Sequence, residues 1–422
     1  MSRVPAPVGG RSSIGPTGDR QNGGVVLRLI NPTQDYAWGS PTAIPEVLGE
    51  ARADGPVAEL WMGAHPASPS RAVTTDGEVP LDQLISDDAE TMLGRDVVAR
   101  FGRSLPYLLK LVAVAKPLSL QVHPDIERAR EGFAAENAAG IPLADPRRNY
   151  KDANHKPELV YALTRFEALS GFRAPRRAAE LFNGLDAPLA VTLHEVLAAE
   201  PTYRGIRTAF RRLLEPELRP SHAEVEAVAD ACRRRLANGS PSPRADRTVV
   251  MLAEAYPGDP GAVTSLLLNP VTLEPGEAMF VPAGGVHAYL HGLAVEIMAN
   301  SDNVLRAGLT AKHVDVPELL VNVDYVAAPP IRVAPEVFHG AARVFYAPVD
   351  DFELSVADVE GGAEHPLPGR GPRIVLCVSG EVTVRSEDDE ARLPRGQSVF
   401  VPAAEGPLHV AGAGTVVQAD VP

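Results

Sequence analysis

Three short segments carry side chains able to hold a metal ion. In Leu118-Ser-Leu-Gln-Val-His123-Pro, strand alternation puts Ser119, Gln121 and His123 on one face and Leu118, Leu120 and Val122 on the other. Polar groups converging inside an apolar strand are costly unless they bind something, although the segment alone reads equally well as an edge strand with a solvated face. Asn154-His-Lys156-Pro-Glu158 places Lys156 and Glu158 together at the head of an apolar run. A carboxylate there suits a barrel mouth where a cation pairs with it; taken alone, the two residues read as a surface ion pair. The third segment is Gly276-Glu-Ala-Met-Phe-Val-Pro282-Ala-Gly284-Gly-Val-His287. Its glycines permit a tight reversal after which His287 projects inward. Together Gln121, His123, Glu158 and His287 supply two imidazoles, one carboxylate and one amide oxygen. That set suits Zn2+, one ion per chain, with a further position open to water or substrate. Manganese, iron, cobalt or nickel also fit such donors.

The elements that must position these residues are mostly strands. The third segment is similar to the general cupin pattern of Gly, five residues, Pro, one residue, Gly, two residues, His. Part of it recurs: Leu273, Gly276, Phe280, Val281 and Pro282 return in register as Leu393, Gly396, Phe400, Val401 and Pro402. A glycine turn, a buried strand and a terminating proline form a recurring corner of a jelly roll, so two barrels are expected. The expected fold class is mainly β: double cupin (jelly-roll) barrels plus an inserted α-helical domain.

Residues 25–174 form the first part of the catalytic barrel, strand-like throughout, with runs such as Tyr107–Val114 and Leu159–Leu163. One helix interrupts them, capped by Asp125, running over Ile126–Ala139 and stopping at Gly140. Residues 175–261 change character; Ile206–Leu214 and Ala223–Leu236 show helical periodicity, giving the insert. Strand character returns at Ala262–Leu268, residues 262–335 complete the catalytic barrel, and a helix follows Pro317. Residues 336–422 form the second barrel, which is expected to hold no metal because Pro407 stands where His287 would recur, with His409 the nearest imidazole.

Bulk properties narrow the partners. Forty Lys and Arg against 54 Asp and Glu leave a net charge of −14, which argues against nucleic acid and anionic membranes. No stretch is apolar and long enough to span a bilayer, and no hydrophobic signal segment stands at the N-terminus. Residues 1–24, rich in Gly and Pro, read as a disordered tail, with ordered structure from about Val25. Cys232 and Cys377 form no C-x-x-C motif, so a reducing, cytoplasmic setting is expected.

Further segments sharpen the function. Tyr36-Ala-Trp-Gly39, Glu59-Leu-Trp-Met-Gly-Ala-His65-Pro, Pro117–Pro124, His155-Lys-Pro-Glu158, Val281–Ala288 and Asn300–Asp315 together resemble the type I mannose-6-phosphate isomerases (phosphomannose isomerases) over roughly residues 26–335. The resemblance implies zinc on Gln121, His123, Glu158 and His287. It places the family's catalytic arginine at Arg306 and lines the pocket with Lys110, Ser119, Lys156, Glu296 and Lys312. The reaction implied is aldose–ketose interconversion of mannose 6-phosphate and fructose 6-phosphate through a cis-enediol. Arg306 is then expected near the enediolate, and Ser119, Lys110, Lys156 and His65 near the substrate. Glu296 sits in the apolar strand Leu293–Met298, where burial would raise its pKa toward that of a general base; a structural carboxylate paired with lysine is the competing account. His65 and Lys312 are further candidates for proton transfer. The expected partner is a small sugar phosphate, bound by a monomer. Alternatives are glucose 6-phosphate isomerisation at the same site, a non-catalytic sugar-phosphate-binding cupin, and a metal-dependent oxygenase, against which the glutamine ligand and the lack of a third histidine argue.

Overall fold

The computed structural model describes residues 26–422. The expected disordered tail over residues 1–24 lies outside the described residues. Two eleven-stranded antiparallel sheets dominate. The first is organised around His287–Ala299, a 13-residue strand. Its leading half pairs with Phe166–Phe172 and, through His287, with Leu120–Val122. Its trailing half pairs with Tyr107–Val114 on one side and Glu158–Ala162 on the other. One strand thereby joins both walls of a barrel.

The second sheet contains the C-terminal strands, among them Glu353–Val359, Arg373–Arg385, Ser398–Val401 and Leu408–Asp420. It also takes in Leu27–Ile30 and the hairpin Arg71–Thr74/Gly77–Pro80, which the sequence reading grouped with the catalytic barrel. Leu27 pairs with Phe400 and Leu29 with Ala72, so a strand far away in sequence extends the second barrel. The recurring corner is present in both sheets. Gly276 and Gly396 adopt φ of +92° and +85°, and each leads into a four-residue strand buried along its whole length.

Between Phe166–Phe172 and Leu268–Leu273 the chain forms helices from Pro175–Phe182 to Gly261–Thr264. Their apolar faces pack on the outer faces of Leu120, Val122, Leu169, Ala288, Leu305 and Ala307, forming one core with the wall that carries Gln121. A second core is shared by the two barrels, with Tyr107, Leu109, Leu159 and Ile297 meeting Phe345, Leu354, Ile374 and Phe400.

Three local expectations are corrected. Ala262–Leu268 is not a strand: Gly261–Thr264 is helical, a 3-10 turn covers Ser265–Leu267, and the strand starts at Leu268. These residues are buried on all sides in the helical core, so no polar face marks their period. The first part of the catalytic barrel carries more than one helix. Ala43–Leu48, Leu81–Asp87, Ala89–Leu93 and Arg95–Phe101 are five to seven residues long, too short for a 3.6-residue period to register. Leu118 does not share a layer with Leu120 and Val122. The strand begins only at Leu120, and Leu118 turns into the barrel interior against Val112, Val114 and Tyr289. The single helix foreseen downstream of that strand is present at Ile126–Ala138, with the Asp125 carboxylate accepting from Arg128 N at 2.7 Å.

Candidate metal centre

Pleating determines which side chains enter the barrel. On adjacent strands His287 pairs with Gln121, and Gln121 in turn with Arg306, so the three form a row across the wall. On the opposite walls Glu296 lies beside Lys110 and Val160, and Glu158 opens its strand two residues before Val160. The inward stripe therefore starts as apolar packing around Val112, Val160 and Ala294 and becomes polar toward one end.

At that end His123, Glu158 and His287 converge, all buried, with their ligand atoms within 4.8 Å of one another. Glu158 Oε1 lies 3.1 Å from His123 Nε2, and Oε2 lies 3.3 Å from His287 Nε2. Each imidazole is held from behind: His123 Nδ1 is 2.7 Å from the Asn303 carbonyl and His287 Nδ1 is 3.0 Å from the Gly285 carbonyl. A carbonyl can only accept, so both Nδ1 atoms carry the hydrogen and both Nε2 lone pairs face the carboxylate. Burial, then the Lys156 charge, lowers the His123 pKa to about 4, which keeps that ring neutral. Its Nε2 has no hydrogen-bond partner despite complete burial. Two lone pairs opposite a carboxylate repel one another unless a cation sits among them. These residues fit a bound divalent metal, and Gln121 lines the same cavity.

Around this group stand further charges. Lys156 Nζ lies 3.3 Å from Glu158 Oε1. Burial works against the Glu158 charge, yet the Lys156 ammonium beside it holds its carboxyl well below the usual range. Lys110 Nζ lies 3.4 Å from Glu296 and 3.9 Å from Glu59. Burial alone would lower the Lys110 pKa, but Glu59, Glu296 and Glu158 raise it, so its ammonium is firmly charged. Glu296 moves the other way: burial, then the Glu158 charge, pushes its carboxyl up against the opposing pull of Lys110. Tyr289 bridges the two carboxylates, its hydroxyl 2.9 Å from Glu158 Oε2 and 2.9 Å from Glu296 Oε1.

The structure thus gathers Gln121, His123, Lys156, Glu158, His287, Lys110 and Glu296 around one chamber. Arg306 is half-buried on the same wall, its pKa lowered by burial. Lys312 is exposed, 6.0 Å from the Tyr36 ring centroid, and burial followed by Arg306 lowers its pKa. His65 is buried, edge-on to Trp61 at 5.1 Å and 3.9 Å from Asp302. Ser119 is half-buried just ahead of its strand. Sequence reading missed Tyr289 and Glu59. Tyr289 is two residues beyond His287 and so shares its face, a signal that was available. Glu59 receives the indole N–H of Trp61, two residues along the same strand, at 2.6 Å, and only folding brings it to within 3.9 Å of Lys110.

An antiparallel jelly roll that gathers two imidazoles and a carboxylate, with an amide lining the same cavity, defines a metal-binding cupin. Two family descriptions match the chain: "Phosphomannose isomerase type I, catalytic domain" over residues 26–175 and "Mannose-6-phosphate isomerase, cupin domain" over residues 342–421. The mannose-6-phosphate isomerase of Escherichia coli K12 is 42% identical over 93% of this chain and 98% of its own length. That of Bos taurus is 33% identical over 90% of this chain and 94% of its own. A crystal structure of a mannose 6-phosphate isomerase bound with zinc and yttrium superimposes with a TM-score of 0.84 at 41% identity, covering 93% of this chain and 98% of the other. A zinc-bound holo structure gives 0.84 at 42% identity over the same shares. The chain belongs to the type I mannose-6-phosphate isomerases.

Proposed function

We propose that this chain is a zinc-dependent isomerase that interconverts mannose 6-phosphate and fructose 6-phosphate. The observation that carries the reading is the convergence of His123, Glu158 and His287, lone pairs inward, in a chamber flanked by Lys110, Lys156 and Glu296. Gln121, His123, Glu158 and His287 would hold the ion. When bound, zinc supplies Lewis acidity that polarises a sugar carbonyl and orients its oxygens.

The remaining work falls to the chain's own groups. The reaction moves a proton between C2 and C1 and another between their oxygens. Glu296, its pKa raised by burial and by the Glu158 charge, is the group we assign to take and return the carbon-bound proton. Tyr289 and Lys110, both within hydrogen-bonding or ion-pairing reach of Glu296, hold that carboxylate in place and donate toward it. Arg306, on the row of Gln121 and His287, offers a planar cationic fork to the developing enediolate. Lys156, Ser119, Lys312 and His65 are assigned to the substrate's hydroxyls and phosphate. We assign the sugar phosphate as the partner, without nucleic acid or membrane, and place a monomeric enzyme in the cytoplasm. The two buried, unpaired thiols suit a reducing compartment, and no helix among the described residues is long and apolar enough to cross a membrane.

The test is a coupled assay on mannose 6-phosphate, before and after chelation and zinc add-back. Turnover should vanish with chelator and return with zinc. His287→Ala should lose both metal and activity, whereas Arg306→Ala should keep stoichiometric zinc and lose about 100-fold or more in kcat. Absence of turnover in protein holding stoichiometric zinc sinks this reading, and glucose 6-phosphate is then the next substrate to try.

A further inference from the structure

Asn303 touches no group assigned above to substrate, yet it is wholly buried and uses its entire side-chain amide. Oδ1 accepts from Lys151 N at 2.6 Å and from Asp152 N at 3.2 Å. Nδ2 donates to the carbonyls of Asp152 at 2.9 Å and Asn154 at 2.8 Å. An asparagine side chain has two donors and two acceptor lone pairs, so nothing is left over. The main-chain carbonyl of the same residue receives His123 Nδ1 at 2.7 Å.

One residue therefore holds both His123, just past Leu120–Val122, and the 151–154 segment that leads to Glu158–Ala162. Its carbonyl fixes the tautomer and tilt of the His123 ring at the end of Leu120–Val122. Its amide clamps residues 151–154, the segment that runs directly into Lys156 and Glu158. The clamp is closed from the other side as well: Ser301 Oγ donates to Asp152 Oδ1 at 2.8 Å, and Asp302 N donates to Asp152 Oδ2 at 2.8 Å.

We propose that Asn303 is a positioning residue for the metal, setting the distance and angle between His123 and Glu158 by holding the His123 ring through its carbonyl and the segment ahead of Glu158 through its side chain. The proposal rests on the zinc reading above. Partners behind a ligating histidine orient the ring and raise its basicity, and losing one costs about 10- to 100-fold in metal affinity. Truncation of Asn303 would free residues 151–154 and let the carbonyl behind His123 move with the 300–303 turn.

The experiment compares the full chain with Asn303→Ala and Ser301→Ala. The zinc dissociation constant is measured by competition with a chromophoric chelator, and the visible spectrum is recorded after cobalt loading. Asn303→Ala should bind zinc about 10- to 100-fold more weakly and show altered cobalt bands. Ser301→Ala, which removes one hydroxyl from the same clamp, should weaken zinc about threefold. A lower melting temperature with unchanged zinc affinity and cobalt spectrum would mean Asn303 is structural only, and overturns the proposal. Should Asn303→Ala fail to fold, unchanged zinc binding in Ser301→Ala overturns it equally. Failure of the unaltered protein to bind zinc is a separate outcome that removes the zinc reading, and this proposal with it.

Discussion

At the residue scale, burial does most of the chemistry. His123 is neutral because it is wholly buried and Lys156 is near, and a neutral ring is what a metal requires. The same burial links it to stability. In the unfolded chain this imidazole takes up a proton near its ordinary pKa of 6.5, while in the folded metal-free protein it resists until about 4. The unfolded state therefore binds more protons between those values, and stability present above pH 6.5 is lost as pH falls toward 4. We expect the denaturation midpoint of chelator-treated protein to fall between pH 7 and 4.5. In His123→Asn the fall should be shallower by roughly 2 kcal/mol of unfolding free energy. An identical pH slope in the variant would refute this account. Glu158, held far below the carboxylate range, adds a loss of the same sign only at more acidic pH.

At the scale of elements, the bend in His287–Ala299 decides whether a site exists. His287 and Tyr289 come from the half paired with one wall, and Glu296 from the half paired with the other. Gly292 is the corner, with φ of +119°, and a Cβ there would lie 2.5 Å from the Arg165 carbonyl oxygen. An L side chain meets both backbone strain and a backbone clash that no rotamer relieves. Gly292→Ala should cost about 2–4 kcal/mol and weaken zinc binding, read as a lowered melting temperature and a raised zinc dissociation constant. A melting temperature matching that of the unaltered protein would show that the corner tolerates a Cβ.

For the whole molecule, the interface between the barrels behaves as core rather than as a seam. Tyr161 of the catalytic barrel meets Phe345 edge-on at 5.3 Å, and Tyr107 donates its hydroxyl to the Pro372 carbonyl at 2.8 Å. Both tyrosines and Phe345 belong to one buried cluster that also contains Leu354, Ile374 and Phe400. Leu27–Ile30 ties the N-terminal end of the described chain into the second barrel. The two barrels should therefore unfold in one transition. Phe345→Ala, distant from His123, Glu158 and His287 in sequence and sheet, should cost about 3–5 kcal/mol and lower that single transition. Two resolved calorimetric transitions would contradict this coupling.

The metal-ligand candidates were legible because a strand's period is fixed by covalent geometry. Alternation put Gln121 on one face with Ser119 and His123, and the glycines between Gly276 and His287 allowed a tight reversal. The recurrence of Gly276–Pro282 at Gly396–Pro402 likewise announced two equivalent corners. Other features were silent in the sequence because they depend on which surfaces meet. Nothing local at Leu27 specifies Phe400 as its partner, and nothing in the apolar run 262–268 separates a buried helix from a buried strand. Leu118 left its expected layer because the strand starts two residues later than alternation assumed. The elevation of Glu296, the neutrality of His123 and the grip of Asn303 on two loops all arise from desolvation and from charges brought close by folding. Residue type and spacing thus determined which groups were capable of the chemistry, and tertiary packing decided their protonation, their orientation and their distance from one another.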